Sequence, residues 1–80
     1  MTENLRKYNI VFMETFNVSE LQLKTLRLKD SENWDSVGHI GLISSLEEAF
    51  GIDMESEDMF AISTYEEGID ILNRKYNIEF

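Results

Sequence analysis

The sequence predicts an all-α domain: a small four-helix bundle with a long loop between helices one and two and a short third helix. Three observations carry that expectation. Apolar residues recur at helical spacing over residues 3–16, 36–50 and 65–76. Each of these runs is preceded by a residue whose side chain caps helices well. The one stretch that alternates instead, within 17–34, has no second strand to pair with. Eighty residues, 42% hydrophobic, suffice for one modest core, so residues 1–80 are read as a single domain.

Helix one places Leu5, Tyr8, Phe12 and Phe16 on one face, with Glu3, Arg6, Lys7 and Asn9 elsewhere around the wheel and Thr2 as its cap. From Asn17 to Trp34 the helical pattern breaks into pieces such as Leu21-Gln22-Leu23 and Leu26-Arg27-Leu28. This segment is expected to be a long ordered loop whose leucines are tacked onto the core. Helix two covers 36–50, opened by Asp35 and closed by Gly51, a residue free to adopt the left-handed conformation. Leu42, Ile43, Leu46, Ala49 and Phe50 make its inward stripe, which reaches back one turn to His39. A second face carries Val37, Ile40, Gly41, Ser44, Glu47 and Glu48. An acidic linker, Asp53 to Asp58, leads into a short third helix within 56–62. Ser63-Thr64-Tyr65-Glu66-Glu67 reads as a capping-box start. Helix four then runs to about Tyr76, burying Tyr65, Ile69 and Leu72, with Arg74 and Lys75 favourable at its negative end.

The net charge of −9 is unevenly spread. Residues 30–73 hold twelve carboxylates and no basic side chain, while the two ends together sum to +3. Such a field repels nucleic acid and anionic lipid and draws basic protein surfaces toward it. With no cysteine there is neither a disulfide framework nor a thiolate metal site, and one histidine alone makes no metal centre. The first residues lead into no long apolar run, so neither a signal peptide nor membrane insertion is expected. The chain reads as a cytoplasmic monomer.

Ser36 draws attention by its position. It follows the Asp35 cap and so falls in the first turn of helix two, where unpaired backbone N–H groups and the positive end of the helix dipole suit a phosphate on its hydroxyl. Asp35-Ser36-Val37 resembles the Asp-Ser-Leu modification motif of the acyl carrier protein family. Leu46-Glu47-Glu48-Ala49-Phe50-Gly51-Ile52 resembles that family's Leu-Glu-Glu-x-Phe-Gly-Ile near the end of helix two, and Ile62-Ser63-Thr64 is a weaker third match. The order of elements is similar over nearly the whole chain.

The resemblance implies that Ser36 carries a covalent 4′-phosphopantetheine arm, transferred from coenzyme A by a phosphopantetheinyl transferase, with Asp35 beside it. The arm's thiol would hold an acyl group as a thioester, and the carrier itself would catalyse nothing. Val37, Ile40, Gly41, Glu47 and Glu48 look like the family's docking surface for basic faces on acyl-activating, acyltransferase or synthase enzymes. The chain departs from the pattern at Asn33 and Trp34, where many members have small residues, and at Gly38 and Gly41, where fatty-acid-synthesis carriers show acids. Those glycines loosen helix two near Ser36 by roughly 1 kcal/mol each relative to alanine. A carrier dedicated to one pathway fits them better than a housekeeping one.

His39 is expected at the upper edge of the core, hydrogen-bonded to loop backbone or near Trp34. The methionines and aromatics read as core, soft enough to open around a bound acyl chain. The closest rival reading is an aminoacyl carrier of the D-alanyl or peptidyl kind. An unmodified acidic interaction module is a second class. Catalysis by Ser36 is the weakest reading, because His39 has no orienting carboxylate evident in the sequence.

Overall fold

The computed structural model describes residues 2–29 and 34–80, and Asn33 lies outside them. Four α-helices and one 3-10 helix account for the regular structure among the described residues: α1 (Glu3–Phe16), a 3-10 helix (Glu20–Thr25), α2 (Ser36–Phe50), α3 (Ser56–Ala61) and α4 (Tyr65–Tyr76). The molecule is therefore all-helical, as expected.

The helices start and stop where the caps are. Thr2 accepts the Leu5 N–H through its hydroxyl at 3.1 Å. At the start of α4, Thr64 accepts the Glu67 N–H at 3.1 Å. The Glu67 carboxylate in turn accepts the Ser63 hydroxyl at 2.5 Å and the Ser63 N–H at 3.3 Å. These bonds favour the charged form and hold the Glu67 carboxyl below the usual carboxylate range, the Ser63 hydroxyl contributing most. Gly51 ends α2 in the left-handed conformation at φ 64°.

The first connection departs from expectation. Instead of a plain loop it holds two turns of 3-10 helix, whose start is pinned by Gln22 Oε1 accepting the Ser19 N–H at 2.9 Å. Leu23 and Leu26 are buried, but Leu21 is 94% exposed, so the leucines are only partly tacked down. The alternation that hinted at a strand yields a single antiparallel bridge, Arg27 to Thr64, beside a 2.9 Å hydrogen bond from Leu28 N–H to Ser63 C=O. That bridge ties the connection to the start of α4.

The core is aromatic. Tyr8, Phe12, Phe16 and Trp34 are fully or almost fully buried, with Leu42 and Leu46 from α2 and Leu72 from α4. Phe16 stacks on Trp34 at 5.0 Å, and Phe12 meets the same indole edge-on at 5.4 Å. On α4 the inward stripe is Tyr65, Gly68, Ile71 and Leu72; Ile69, expected inside, is only partly buried. Gly68 faces Tyr8, whose hydroxyl donates to the Tyr65 carbonyl at 2.7 Å, and burial pushes the Tyr8 phenol up. Asn9, placed off the inner face by the sequence, is buried and accepts the Tyr65 hydroxyl at 2.5 Å. The tail after Tyr76 folds back, with Ile78 buried and Phe80 against Tyr8 at 5.4 Å.

Candidate functional site

Ser36 is the first residue of α2 and is exposed. Asp35 has extended backbone angles and caps the helix, its carboxylate accepting the Gly38 N–H at 2.8 Å. The segment is anchored on either side of the serine. Trp34 is fully buried two residues before it, and His39 is buried three residues after it. The hydroxyl is thus presented from a fixed turn while the tip stays open to solvent.

Apolar side chains surround that tip. Val37 is 78% exposed and Ile40 69%, and Phe60 from the C-terminal end of α3 is 78% exposed. Leu28, Lys29, Ser36, His39, Ile40 and Phe60 line one groove of about 330 Å³. Its continuation along α2, about 180 Å³, is lined by Ile43, Ser44, Glu47 and Met59 together with His39, Ile40 and Phe60. Grooves of similar size occur elsewhere, such as one of about 350 Å³ between α4 and Phe80, so size does not single this one out. Its chemistry does: it joins a helix-start hydroxyl, apolar walls and an ammonium group.

Two residues of this groove escaped the sequence reading. Phe60 sits in a six-residue helix whose amphipathicity is too short to read. Lys29 belongs to the irregular connection, where its left-handed backbone (φ 71°) and the 2.7 Å bond from its N–H to the Trp34 carbonyl turn the chain back toward Ser36.

The other expected docking residues divide. Gly41 and Glu48 are exposed on α2, and a Cβ added at Gly41 meets nothing within 4 Å. Glu47 is half-buried, and one of its carboxylate oxygens accepts the Met54 N–H at 2.8 Å, fastening the linker that leads to α3. The first turn of α3 is held by Asp58, the one buried carboxylate among the described residues. Asp58 accepts from Lys75 Nζ at 2.6 Å and from the Tyr76 hydroxyl at 2.6 Å. The Lys75 bond, then the Tyr76 bond, keeps the Asp58 carboxyl below the usual range, and the same contact raises the Lys75 ammonium. The sequence reading assigned Asp58 to a linker and missed this tie.

His39 is at the core edge as expected, but its ring bridges elements. Trp34 Nε1–H donates to His39 Nδ1 at 3.1 Å, and His39 Nε2 lies 2.7 Å from the Met59 carbonyl in α3. Among the described residues, no three His, Cys, Asp or Glu side chains gather closely enough to hold a metal ion. Nor is any described helix long and apolar enough to cross a membrane. No family model, curated protein or solved structure matches the chain.

Proposed function

We propose that this chain is a cytoplasmic carrier protein of the acyl-carrier type, a small four-helix bundle whose 3-10 segment is an ordered part of the first connection. Ser36 bears a 4′-phosphopantetheine arm, and the arm presents acyl groups as thioesters to partner enzymes. The observation that carries this reading is an exposed Ser36 opening α2 beside an apolar groove, in a chain that also has Leu46-Glu47-Glu48-Ala49-Phe50-Gly51-Ile52 at the end of the same helix. A phosphodiester on Ser36 fits its surroundings. The N-terminal N–H groups of α2 favour an anion, and Lys29 lines the same groove. Leu28, Ile40 and Phe60 offer the arm's methylene and dimethyl groups an apolar wall. The bound arm supplies the thiol, a function that the cysteine-free chain lacks.

Val37 and Ile40 form the apolar centre of a small transient interface, and Glu48, with Glu47 beside it, steers basic partners. Intact mass tests the reading. Incubation with a broad-specificity phosphopantetheinyl transferase and coenzyme A should add one phosphopantetheine to the wild type and none to Ser36→Ala. An unchanged wild-type mass overturns the carrier reading and leaves an unmodified interaction module. Given the gain, loading by acyl-activating but not aminoacyl-activating enzymes separates the acyl carrier from the D-alanyl or peptidyl kind.

A further inference from the structure

His39 lies between Trp34, at the end of the first connection, and Met59 in α3, and both neighbours dictate how its ring is protonated. An indole N–H only donates and a peptide carbonyl only accepts. With Trp34 Nε1–H directed at Nδ1 (3.1 Å) and the Met59 carbonyl at Nε2 (2.7 Å), the bridge closes only in the neutral tautomer carrying its proton on Nε2. A second proton, taken from solvent onto Nδ1, leaves the fully buried indole N–H facing another donor. We propose that His39 is a positioning residue: through this tautomer-specific bridge it fixes Met59 and Phe60 of α3 against the start of α2, and protonation of its ring releases the shoulder on which Ser36 stands.

The geometry leaves few substitutes for the bridge. Met59 precedes Phe60, which forms the wall of the groove opposite Ile40, so releasing the Met59 carbonyl frees that wall. The Trp34 ring also stacks nearly parallel to the imidazole, 18° between planes at 6.2 Å, and is pinned from α1 by Phe12 and Phe16. From α1 the side chains that meet the indole are Phe12 and Phe16, and from α3 Met59 and Phe60 border the imidazole. Among the described residues, the charged groups beside the ring are Lys29, from the first connection, in one groove, Glu47, from α2 itself, in the other, and the Asp35 cap, whose carboxylate is held on the Gly38 N–H. What this positions matters for carrying cargo only if Ser36 is modified, so that consequence rests on the proposed function. The bridge itself does not.

The test therefore uses the unmodified protein, whose single Trp34 is a clean probe. As the pH is lowered from 8 to 5, Trp34 fluorescence and its indole N–H resonance should shift together, along one curve. Protection of that N–H from exchange should drop about fivefold, the factor one net hydrogen bond supplies. His39→Asn puts a non-titrating acceptor near Nδ1 and His39→Gln a non-titrating donor near Nε2, so both curves should flatten. A response of wild-type size in both variants assigns it to a group other than His39 and overturns the proposal. Should the variants fail to fold, the ring 15N shifts of wild-type His39 still decide. A proton on Nδ1 at pH 8, or a ring that stays neutral to pH 5 while the indole signal moves, overturns it too. A missing mass gain on Ser36 leaves all of these readouts intact.

Discussion

Gly68→Ala should destabilise the protein, although alanine is the better helix former. In mid-helix the substitution is ordinarily worth up to about 1 kcal/mol of stabilisation. Here the added Cβ arrives 2.1 Å from the Tyr8 hydroxyl oxygen and 3.2 Å from the ring carbon bearing it. The ring must therefore move by about 1 Å to restore van der Waals contact. Tyr8 has little room to do so, being fully buried against Phe12, Tyr65 and Phe80. Overpacking of this kind costs about 1–3 kcal/mol. Displacing the hydroxyl from the Tyr65 carbonyl, its 2.7 Å acceptor, adds about 1–3 kcal/mol for a stranded buried donor. The losses outweigh the propensity gain and leave a net destabilisation of roughly 1–6 kcal/mol. Gly41→Ala is the matched control, with open space around the new Cβ and α-helical surroundings. It should stabilise by up to about 1 kcal/mol. Chemical denaturation at constant m value measures both, and each kcal/mol corresponds to about 4–8 °C in Tm for a domain of this size. If Gly68→Ala equals or exceeds the wild type, the close approach of α4 to Tyr8 is wrong, and with it the packing of α1 on α4.

Two further predictions concern α3 and its linker. Asp58 is held charged by Lys75 and Tyr76, so the unfolded chain binds its proton more readily than the folded one. The stability this contributes is present at neutral pH and is lost as pH falls below about 4. Asp58→Asn should lower Tm at pH 7 and flatten the acid limb between pH 4 and 2; a limb as steep as the wild type's would show that other carboxylates, Glu67 among them, govern it. Glu47→Ala should cost about 1 kcal/mol by stranding the Met54 N–H, and Glu47→Gln should restore most of it. Glu48→Ala should stay within about 0.5 kcal/mol of wild type. Equal urea midpoints for Glu47→Ala and Glu48→Ala would remove the linker contact from the account.

How much of this was legible in the sequence follows from how local each signal is. The bounds of α1, α2 and α4 were readable because Thr2, Asp35, Gly51 and Thr64 cap them through neighbours within four residues. Ser36 was readable for the same reason. The 3-10 helix was not, because a run of six residues leaves too little periodicity to separate from loop. Phe60, Lys29 and the Asp58 tie were hidden by distance in the chain: Phe60 shares a groove with Ile40, and Asp58 meets Lys75 seventeen residues on, arrangements that only packing creates. Ile69 and Ile71 lie on opposite flanks of the Tyr65–Leu72 stripe of α4, and which flank turns inward depends on where Tyr8 stands. The face that Glu47 and Glu48 share was legible. That one of them is tied to the Met54 amide was not, because a capped linker leaves no pattern in sequence.

The placement of Ser36 is better explained by a surface that is used than by capping alone. A serine needed only as structure at the start of α2 has little to do, since Asp35 already provides the capping bond to Gly38. Its neighbours are costly for a purely structural role: α2 buries Leu42, Ile43 and Leu46, yet leaves Val37 and Ile40 in water one turn away, with Phe60 brought alongside by α3. Burying an aliphatic side chain of that size is worth about 1.5–3 kcal/mol, and single exposed apolar residues are ordinary on protein surfaces. Val37, Ile40 and Phe60 are all exposed, and Ile40 and Phe60 line a groove with Ser36 in which Lys29 also stands. Under the proposed carrier function, the arm, its cargo and the enzymes that take delivery would cover these side chains in turn. The anchors Trp34 and His39, buried on either side of the exposed serine and bonded to each other, hold its turn in place.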